Sequence, residues 1–277
     1  MPLFSEKEIL NLKLNSLYLT DLKELALLYN IRKSSSASEI IKSILEKNIS
    51  EKDLDDFIKQ KYATKIAERR KIISDTELKR ELLKVQTFSW GVIQGQLDWK
   101  IQTEYVRKIV RYDELLKSVK SNLYNDITNY VICTWFNHWT TVLIEEHISL
   151  HPKVIPTIKN VKGIDIFFDN QPFDLKITYL PRGYNPDDAV KNPKQLAIWL
   201  YENQGEQRFG SDNRLFVVVL DKENIDESWK LKRDFDFVFQ KIDEFLDKEK
   251  VSKNDEIVFS YKRKTYTAIT KILMITK

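Results

Sequence analysis

The chain has 277 residues, of which 42% are hydrophobic and 12% aromatic, and its formal net charge is +4. This composition excludes a disordered chain, and the length suggests one or two domains with a sizeable core. The single cysteine, Cys133, excludes an internal disulfide and a cysteine-based metal cluster, and three histidines are few for a zinc enzyme. The small positive excess permits a nucleic-acid partner without requiring one.

The N-terminal stretch MPLFSEKEILNLK carries acidic residues where a signal peptide is basic and then apolar. The longest apolar runs, such as residues 215–220, are too short to span a bilayer. We therefore expect a cytoplasmic protein.

Proline and glycine divide the chain into two halves. Residues 3–151 contain no proline and only two glycines, Gly91 and Gly95, whereas six of the seven prolines follow residue 151. We therefore expect a helical first half and a second half of mixed strands, turns and helices. The expected division is an N-terminal helical module (1–50), a helical linker or accessory region (51–118) and an α/β domain (119–277).

Residues 16–46 predict two short helices around a polar loop, with Ser36 or Ser38 as the N-cap of the second helix. This segment resembles the SAP motif, a helix–loop–helix module that binds DNA, in its LKEL (22–25) and EII (39–41) stretches. The motif's usual glycine turn is replaced by serines, and its usual lysine before the second helix is absent. The resemblance implies a DNA-binding module, and we expect DNA contacts at Arg32 and Lys33. A plain helical hairpin is the alternative interpretation.

The second half predicts an α/β fold, a mixed sheet flanked by helices. Its expected elements are a long buried helix (124–147), a hairpin (163–178), a helix (190–204), a buried strand (215–221), a long amphipathic helix (227–249) and two closing strands joined by the basic KRK turn (262–264).

The hairpin stretch GIDIFFDNQPFDLKIT places charged residues within apolar strands. If its turn is Asp169-Asn170, residue 168 pairs with residue 171, and Asp165 lies opposite Asp174. The expected apolar face carries Ile164, Ile166, Phe168, Phe173, Leu175 and Ile177, and the opposite face carries Asp165, Asp174, Lys176 and Thr178.

Opposed carboxylates repel each other by roughly 3 kcal/mol at about 5 Å and an effective dielectric of about 20. A divalent cation removes this cost, and two carboxylates suit Mg²⁺, which keeps several waters and a substrate phosphate in its other positions. Lys176 lies one step along the same face, where its charge would activate a water or stabilise the transition state. The alternative is a solvated outer face, with both aspartates far from any helix carboxylate.

The acid-x-lysine pattern also occurs at residues 21–23, 77–79 and 98–100, but there in helix-like sequence. Only residues 174–176 combine it with a hairpin, a facing aspartate and an upstream helix that carries glutamates. In these features residues 124–221 resemble the PD-(D/E)xK nuclease superfamily, in particular its type II restriction endonucleases. The matching residues are Glu145 (or Glu146), Asp165 and Asp174-Leu175-Lys176, with isoleucine and not proline at position 164.

The resemblance implies a restriction endonuclease-like fold and Mg²⁺, with Mn²⁺ as a substitute, bound by Asp165, Asp174 and the carbonyl of Leu175. It implies that Lys176 orients or activates the water and that Glu145 holds a second metal or a metal-bound water. The implied activity is site-specific hydrolysis of double-stranded DNA in a prokaryotic cell, by a homodimer that has a cognate DNA methyltransferase in the host.

Two alternatives stay open: a nuclease of the same fold in repair or recombination, and a non-catalytic DNA-binding protein. Basic and amide side chains that follow the expected site are candidate DNA contacts. These candidates are Arg182, Lys194, Gln195 and Arg214.

Overall fold

The computed structural model describes residues 3–31, 36–47, 49–88, 94–203, 212–261 and 263–277. In these ranges the chain is mixed α/β, with a six-stranded mixed sheet and a helical N-terminal region, which confirms the predicted class. Contacts divide it into two compact units: Met1–Ile72 with Ile144–Lys277, and Ile73–Leu143. Packing alone defines these units, so the three functional segments expected from the sequence stay a prediction. Across the described ranges, no helix is both long enough and apolar enough to cross a membrane.

The first unit begins with four helices. Helix α1 starts at a capping box, in which Ser5 and Glu8 satisfy each other's backbone N–H groups. Ser36 lies at the N-cap of the third helix, as predicted, whereas the expected contacts Arg32 and Lys33 lie outside the described residues. The helices are α1 (Glu6–Asn15), α2 (Leu19–Leu28), α3 (Ala37–Glu46) and α4 (Glu51–Ile72).

The second unit is helical in its described part. Its first helix starts at a second capping box, formed by Ser74 and Glu77. The helical elements are α5 (Asp75–Leu83), α6 (Gln94–Lys100), a π-helical turn (Ile101–Val106), α7 (Tyr112–Ser118), a second π-helical turn (Val119–Leu123) and α8 (Tyr124–Leu150), whose last residues belong to the first unit.

The sheet belongs to the first unit and has the order β1-β2-β3-β4-β6-β5. Strand β4 pairs in parallel with β3 and β6, and the other neighbours are antiparallel. Every residue of β4 is buried, as expected of a strand covered on both faces. The strands are β1 (Val154–Val161), β2 (Ile164–Phe168), β3 (Gln171–Tyr179), β4 (Arg214–Leu220), β5 (Glu256–Tyr261) and β6 (Lys264–Thr276).

Both long helices predicted after the hairpin are interrupted. The first breaks at Asn192, because the following Pro193 disfavours a helical conformation in the residue before it. The second breaks at residues 233–234. The resulting helices are α9 (Pro186–Lys191), α10 (Pro193–Asn203), α11 (Ser228–Lys232) and α12 (Phe235–Lys248).

The N-terminal helices pack against the hairpin, which corrects one expectation. Phe167 and Pro172 share the face of the two aspartates, and both are buried. Phe167 joins a core built largely from helices α1 to α4. The predicted polar face is therefore polar only at the end of the hairpin that is distant from its turn.

Lys13 ties these helices to the hairpin turn. It is only 1% exposed, and its Nζ lies 2.8 Å from Glu51 and 2.7 Å from Asp55. The same Nζ lies 3.4 Å from Oδ1 of Asn170 at the turn. A buried lysine is stable only with such partners, so this contact fixes the hairpin tip on the helices.

Candidate functional site

The hairpin has the register that the sequence predicts. Asp169 and Asn170 form its turn and have φ values of 45° and 57°, which suit a tight I′ turn. Phe168 pairs with Gln171, and the antiparallel ladder continues to Ile166 and Phe173. One further step in this register places Asp165 opposite Asp174.

Strands β2 and β3 separate at this step. The backbone N–H of Leu175 donates a 2.8 Å hydrogen bond to Oδ2 of Asp165. The N–H of Asp174 points to the other edge of β3 and donates to the carbonyl of Asn213, at 2.8 Å. The two aspartates therefore lie where the sheet passes from antiparallel to parallel pairing.

Two cations contact the carboxylate of Asp174. Nζ of Lys176 lies 3.0 Å from Oδ1, and Nε of Arg214 lies 3.1 Å from Oδ2. Arg214 is only 8% exposed, and its guanidinium lies 4.8 Å from the ring centre of Tyr201. Arg214 thus belongs to the interior of the site, beside Asp174.

The carboxylate of Asp165 is less favourably placed than that of Asp174, because it lies in a partly desolvated position beside the charge of Asp174. Asp165 keeps an exposed edge, yet partial desolvation of its carboxylate raises its pKa, and the charge of Asp174 raises it further. The hydrogen bond from Leu175 acts in the opposite direction and lowers that pKa. A carboxylate with a raised pKa gains from a nearby cation, so the pair is suited to a metal.

Glu145 on α8 is the helix carboxylate that interacts electrostatically with Asp165. Burial raises its pKa to about 7, and the negative charge of Asp165 adds to the increase. Lys232 and Lys176 partly offset these effects. The neighbouring Glu146 instead forms an ion pair with Arg69 on α4, with Nε at 3.1 Å. Of the two glutamates that the sequence left open, Glu145 is the one whose pKa is raised by the charge of Asp165.

Lys232 is a residue of the site that the sequence did not reveal. It is 2% exposed at the end of α11, and its Nζ lies 5.5 Å from the ring centre of Tyr179 on β3. Burial lowers its pKa to about 7, against the opposite influence of Glu145. No local pattern marks this lysine, because only the packing of α11 on the sheet buries it.

Asp212 is a second residue that the sequence did not reveal. Its carboxylate packs against Gly163, and a Cβ at that glycine would lie 2.6 Å from Cγ of Asp212. Burial raises the pKa of Asp212, and the charge of Asp174 adds to it. Gly163 has a φ of 74°, which glycine adopts without strain. This turn residue before the first aspartate is the one sequence signal that points to a close approach.

The remaining side chains that the sequence predicts to contact DNA are exposed and, within the described part of the chain, form no hydrogen bond or ion pair with the two aspartates. Arg182, Lys194 and Gln195 are exposed, and Nζ of Lys194 donates to the carbonyl of Asn254 at 2.8 Å. Tyr201 is buried, and its hydroxyl donates to the carbonyl of Asp212 at 3.0 Å. Contacts between these side chains and DNA stay predictions.

The donor set fits Mg²⁺ better than a metal that needs an all-protein cage. Within the described ranges, no three His, Cys, Asp or Glu side chains lie close enough together to enclose a metal ion. Mg²⁺ is commonly bound by one or two carboxylates and keeps several waters. Asp165 and Asp174 supply such a pair of hard oxygen donors, and Leu175, whose carbonyl is the third expected ligand, directly follows Asp174 in the chain.

Comparisons with known proteins do not assign a function to this site. No family model, no curated protein and no solved structure matched the chain. The likeness of residues 124–221 to PD-(D/E)xK nucleases therefore depends on the motif and on the arrangement of its side chains.

Proposed function

We propose that this protein is a Mg²⁺-dependent deoxyribonuclease that hydrolyses phosphodiester bonds in double-stranded DNA, as a type II restriction endonuclease. The observation that carries the proposal is the junction at which β2 and β3 separate. There the hydrogen bond from Leu175 fixes Asp165, and Lys176 contacts Asp174. Glu145 adds a third acidic group, whose pKa is raised by the charge of Asp165.

Asp165 and Asp174 would hold the metal, together with the carbonyl of Leu175. When bound, Mg²⁺ would supply Lewis-acid stabilisation of the charge that develops on the scissile phosphate. The paired carboxylates support this role, because their mutual repulsion disappears when a cation lies between them.

Lys176 would position the attacking water and stabilise its negative charge. Its Nζ lies 3.0 Å from Oδ1 of Asp174, which would hold the metal, so its positive charge is next to the proposed metal ligand. The water oxygen attacks phosphorus, the bond from phosphorus to the leaving sugar oxygen breaks, and that oxygen takes a proton. Glu145, whose pKa is about 7, could accept a proton from the water near neutral pH.

The topology supports the same assignment at the level of the fold. Strand β3 carries Asp174 and Lys176, and it lies between the antiparallel β2 and the fully buried parallel β4. Helix α8, which carries Glu145, precedes the sheet in the chain, as the superfamily pattern requires. The restriction endonuclease-like fold is therefore part of the proposal.

The proposed partners follow from the reaction. Two cuts on a palindromic site need two active sites, so we propose a homodimer on double-stranded DNA. A restriction enzyme also needs a cognate DNA methyltransferase in its host. The SAP-like helices would add contacts with flanking phosphates.

Digestion of a sequenced plasmid with Mg²⁺, followed by mapping of the fragment ends, tests this function. Discrete ends within one repeated sequence would support a restriction endonuclease. Cleavage of branched DNA alone would support the repair or recombination alternative. If the protein neither cleaves DNA nor binds Mn²⁺, the proposal of an enzyme is overturned and a non-catalytic DNA-binding protein is favoured.

A further inference from the structure

Arg214 is held against Asp174 by three independent features. The parallel register of β3 and β4 pairs the two residues directly. The guanidinium stacks at 4.8 Å from the centre of the Tyr201 ring, and that ring is itself fixed by its hydrogen bond to Asp212. The side chain of Arg214 is only 10% exposed. Its Nε therefore contacts Oδ2 of Asp174 from a rigid position.

Lys176 contacts the other oxygen of the same carboxylate, but its side chain is more exposed and more flexible than that of Arg214. Its side chain is 34% exposed, compared with 10% for Arg214, and it sits at the end of a flexible four-carbon stem. A metal that binds Asp174 must share the carboxylate with one of these cations. Lys176 can leave at low cost, whereas Arg214 is enclosed.

We propose that Arg214 is a positioning residue that holds Oδ2 of Asp174 and leaves Oδ1 for the metal, an inference that rests on the proposed function. Arg214 also opposes the metal through its own charge. The arginine thus keeps the carboxylate aligned before the metal arrives and limits how tightly the metal binds. This role replaces the DNA contact expected for Arg214 from the sequence.

Two variants distinguish the effect of the positive charge of Arg214 from its effect on the alignment of the Asp174 carboxylate. Arg214→Met removes both the charge and the hydrogen bond, so it should bind Mn²⁺ about tenfold more tightly, because a nearby positive charge is lost. It should also cleave DNA about 100-fold more slowly at saturating Mn²⁺, because the carboxylate loses its alignment. Arg214→Lys keeps the charge but loses the planar fork, so it should cleave slowly and bind Mn²⁺ as the wild type does.

The experiment is isothermal titration of the full chain with Mn²⁺, combined with cleavage rates at saturating Mn²⁺. Thermal unfolding establishes that each variant is folded. If Arg214→Met does not fold, Arg214→Gln removes the charge and keeps a hydrogen-bond donor, with the same expected gain in affinity. Arg80→Met, which removes an exposed arginine of helix α5, is the control and should leave the Mn²⁺ affinity unchanged.

A purely structural role would weaken Mn²⁺ binding or leave it unchanged. A folded Arg214→Met or Arg214→Gln variant whose Mn²⁺ affinity is no higher than that of the wild type would overturn this inference, while a wild type that binds Mn²⁺ and cleaves DNA would leave the proposed function intact. A wild type that neither binds Mn²⁺ nor cleaves would overturn both.

Discussion

The backbone N–H of Leu175 donates a 2.8 Å hydrogen bond to the carboxylate of Asp165, at the point where strands β2 and β3 separate. This side-chain acceptor replaces the next rung of the antiparallel ladder. On its opposite edge β3 pairs in parallel with β4, and the N–H of Asp174 donates there to the carbonyl of Asn213. The two aspartates and Lys176 therefore lie where the backbone pairing of β3 with β2 ends and its parallel pairing with β4 begins.

Glu145 and Glu146 offer a matched pair of substitutions. Glu145→Gln should slow DNA cleavage by about 10- to 100-fold, because it removes a carboxylate that interacts with Asp165, a proposed metal ligand. Glu146→Gln should leave cleavage near the wild-type rate and lower the free energy of unfolding by about 1–3 kcal/mol, because it breaks the ion pair with Arg69. Cleavage rates and urea unfolding of both variants check this pair. The reverse pattern would assign the site to Glu146.

The raised pKa of Glu145 predicts how the stability of the metal-free protein depends on pH. The group titrates near 4.5 in the unfolded chain and near 7 in the folded one, so the folded state binds more protons between these values. Stability should therefore fall as pH rises through this interval, by up to about 3 kcal/mol from this group. Urea unfolding in EDTA, at pH values on either side of the interval, measures the fall.

Glu145→Gln is the control for this titration. The variant has no carboxyl group to deprotonate, so its stability should exceed that of the wild type by a margin that grows as pH rises from about 4.5 to about 7. A margin that stays constant across the interval would show that Glu145 does not have the raised pKa.

Alanine substitutions at Gly163 and Gly183 distinguish the effect of backbone strain from the effect of disturbing the site. Both glycines have positive φ, 74° and 82°, so alanine should cost each position about 1 kcal/mol of stability. A Cβ at Gly163 also collides with the carboxylate of Asp212, whereas nothing lies within 4 Å of a Cβ at Gly183. Gly163→Ala should therefore slow cleavage by about tenfold or more, and Gly183→Ala should not. Equal cleavage rates for the two variants would exclude Asp212 from the site.

Local signals in the sequence were sufficient to predict the hairpin. The Asp169-Asn170 turn and the alternation of apolar residues fix its register, and that register places Asp165 opposite Asp174. The same alternation led to an incomplete assignment of the second face. Phe167 is buried there because the N-terminal helices cover it, and the hairpin sequence contains no sign of that packing.

Residues that reach the site from distant segments could not be predicted. Lys232 is buried only because α11 packs on the sheet, and Arg214 meets Asp174 only through the parallel register of β3 and β4. The choice between Glu145 and Glu146 likewise depends on the position of Arg69 on another helix. The sequence predicts which helix or strand carries each of these residues, but long-range packing decides what each one contacts.

The most direct test of the proposed nuclease is the initial rate at which supercoiled plasmid DNA is cut in the presence of Mg²⁺. Asp174→Ala and Lys176→Ala should each lower this rate at least about 100-fold while the proteins remain folded. Lys79→Ala is the matched control, because it changes the same acid-x-lysine pattern in helix α5 and should cut at the wild-type rate. Cleavage at the wild-type rate by a folded Asp174→Ala or Lys176→Ala variant would contradict the assignment of the site.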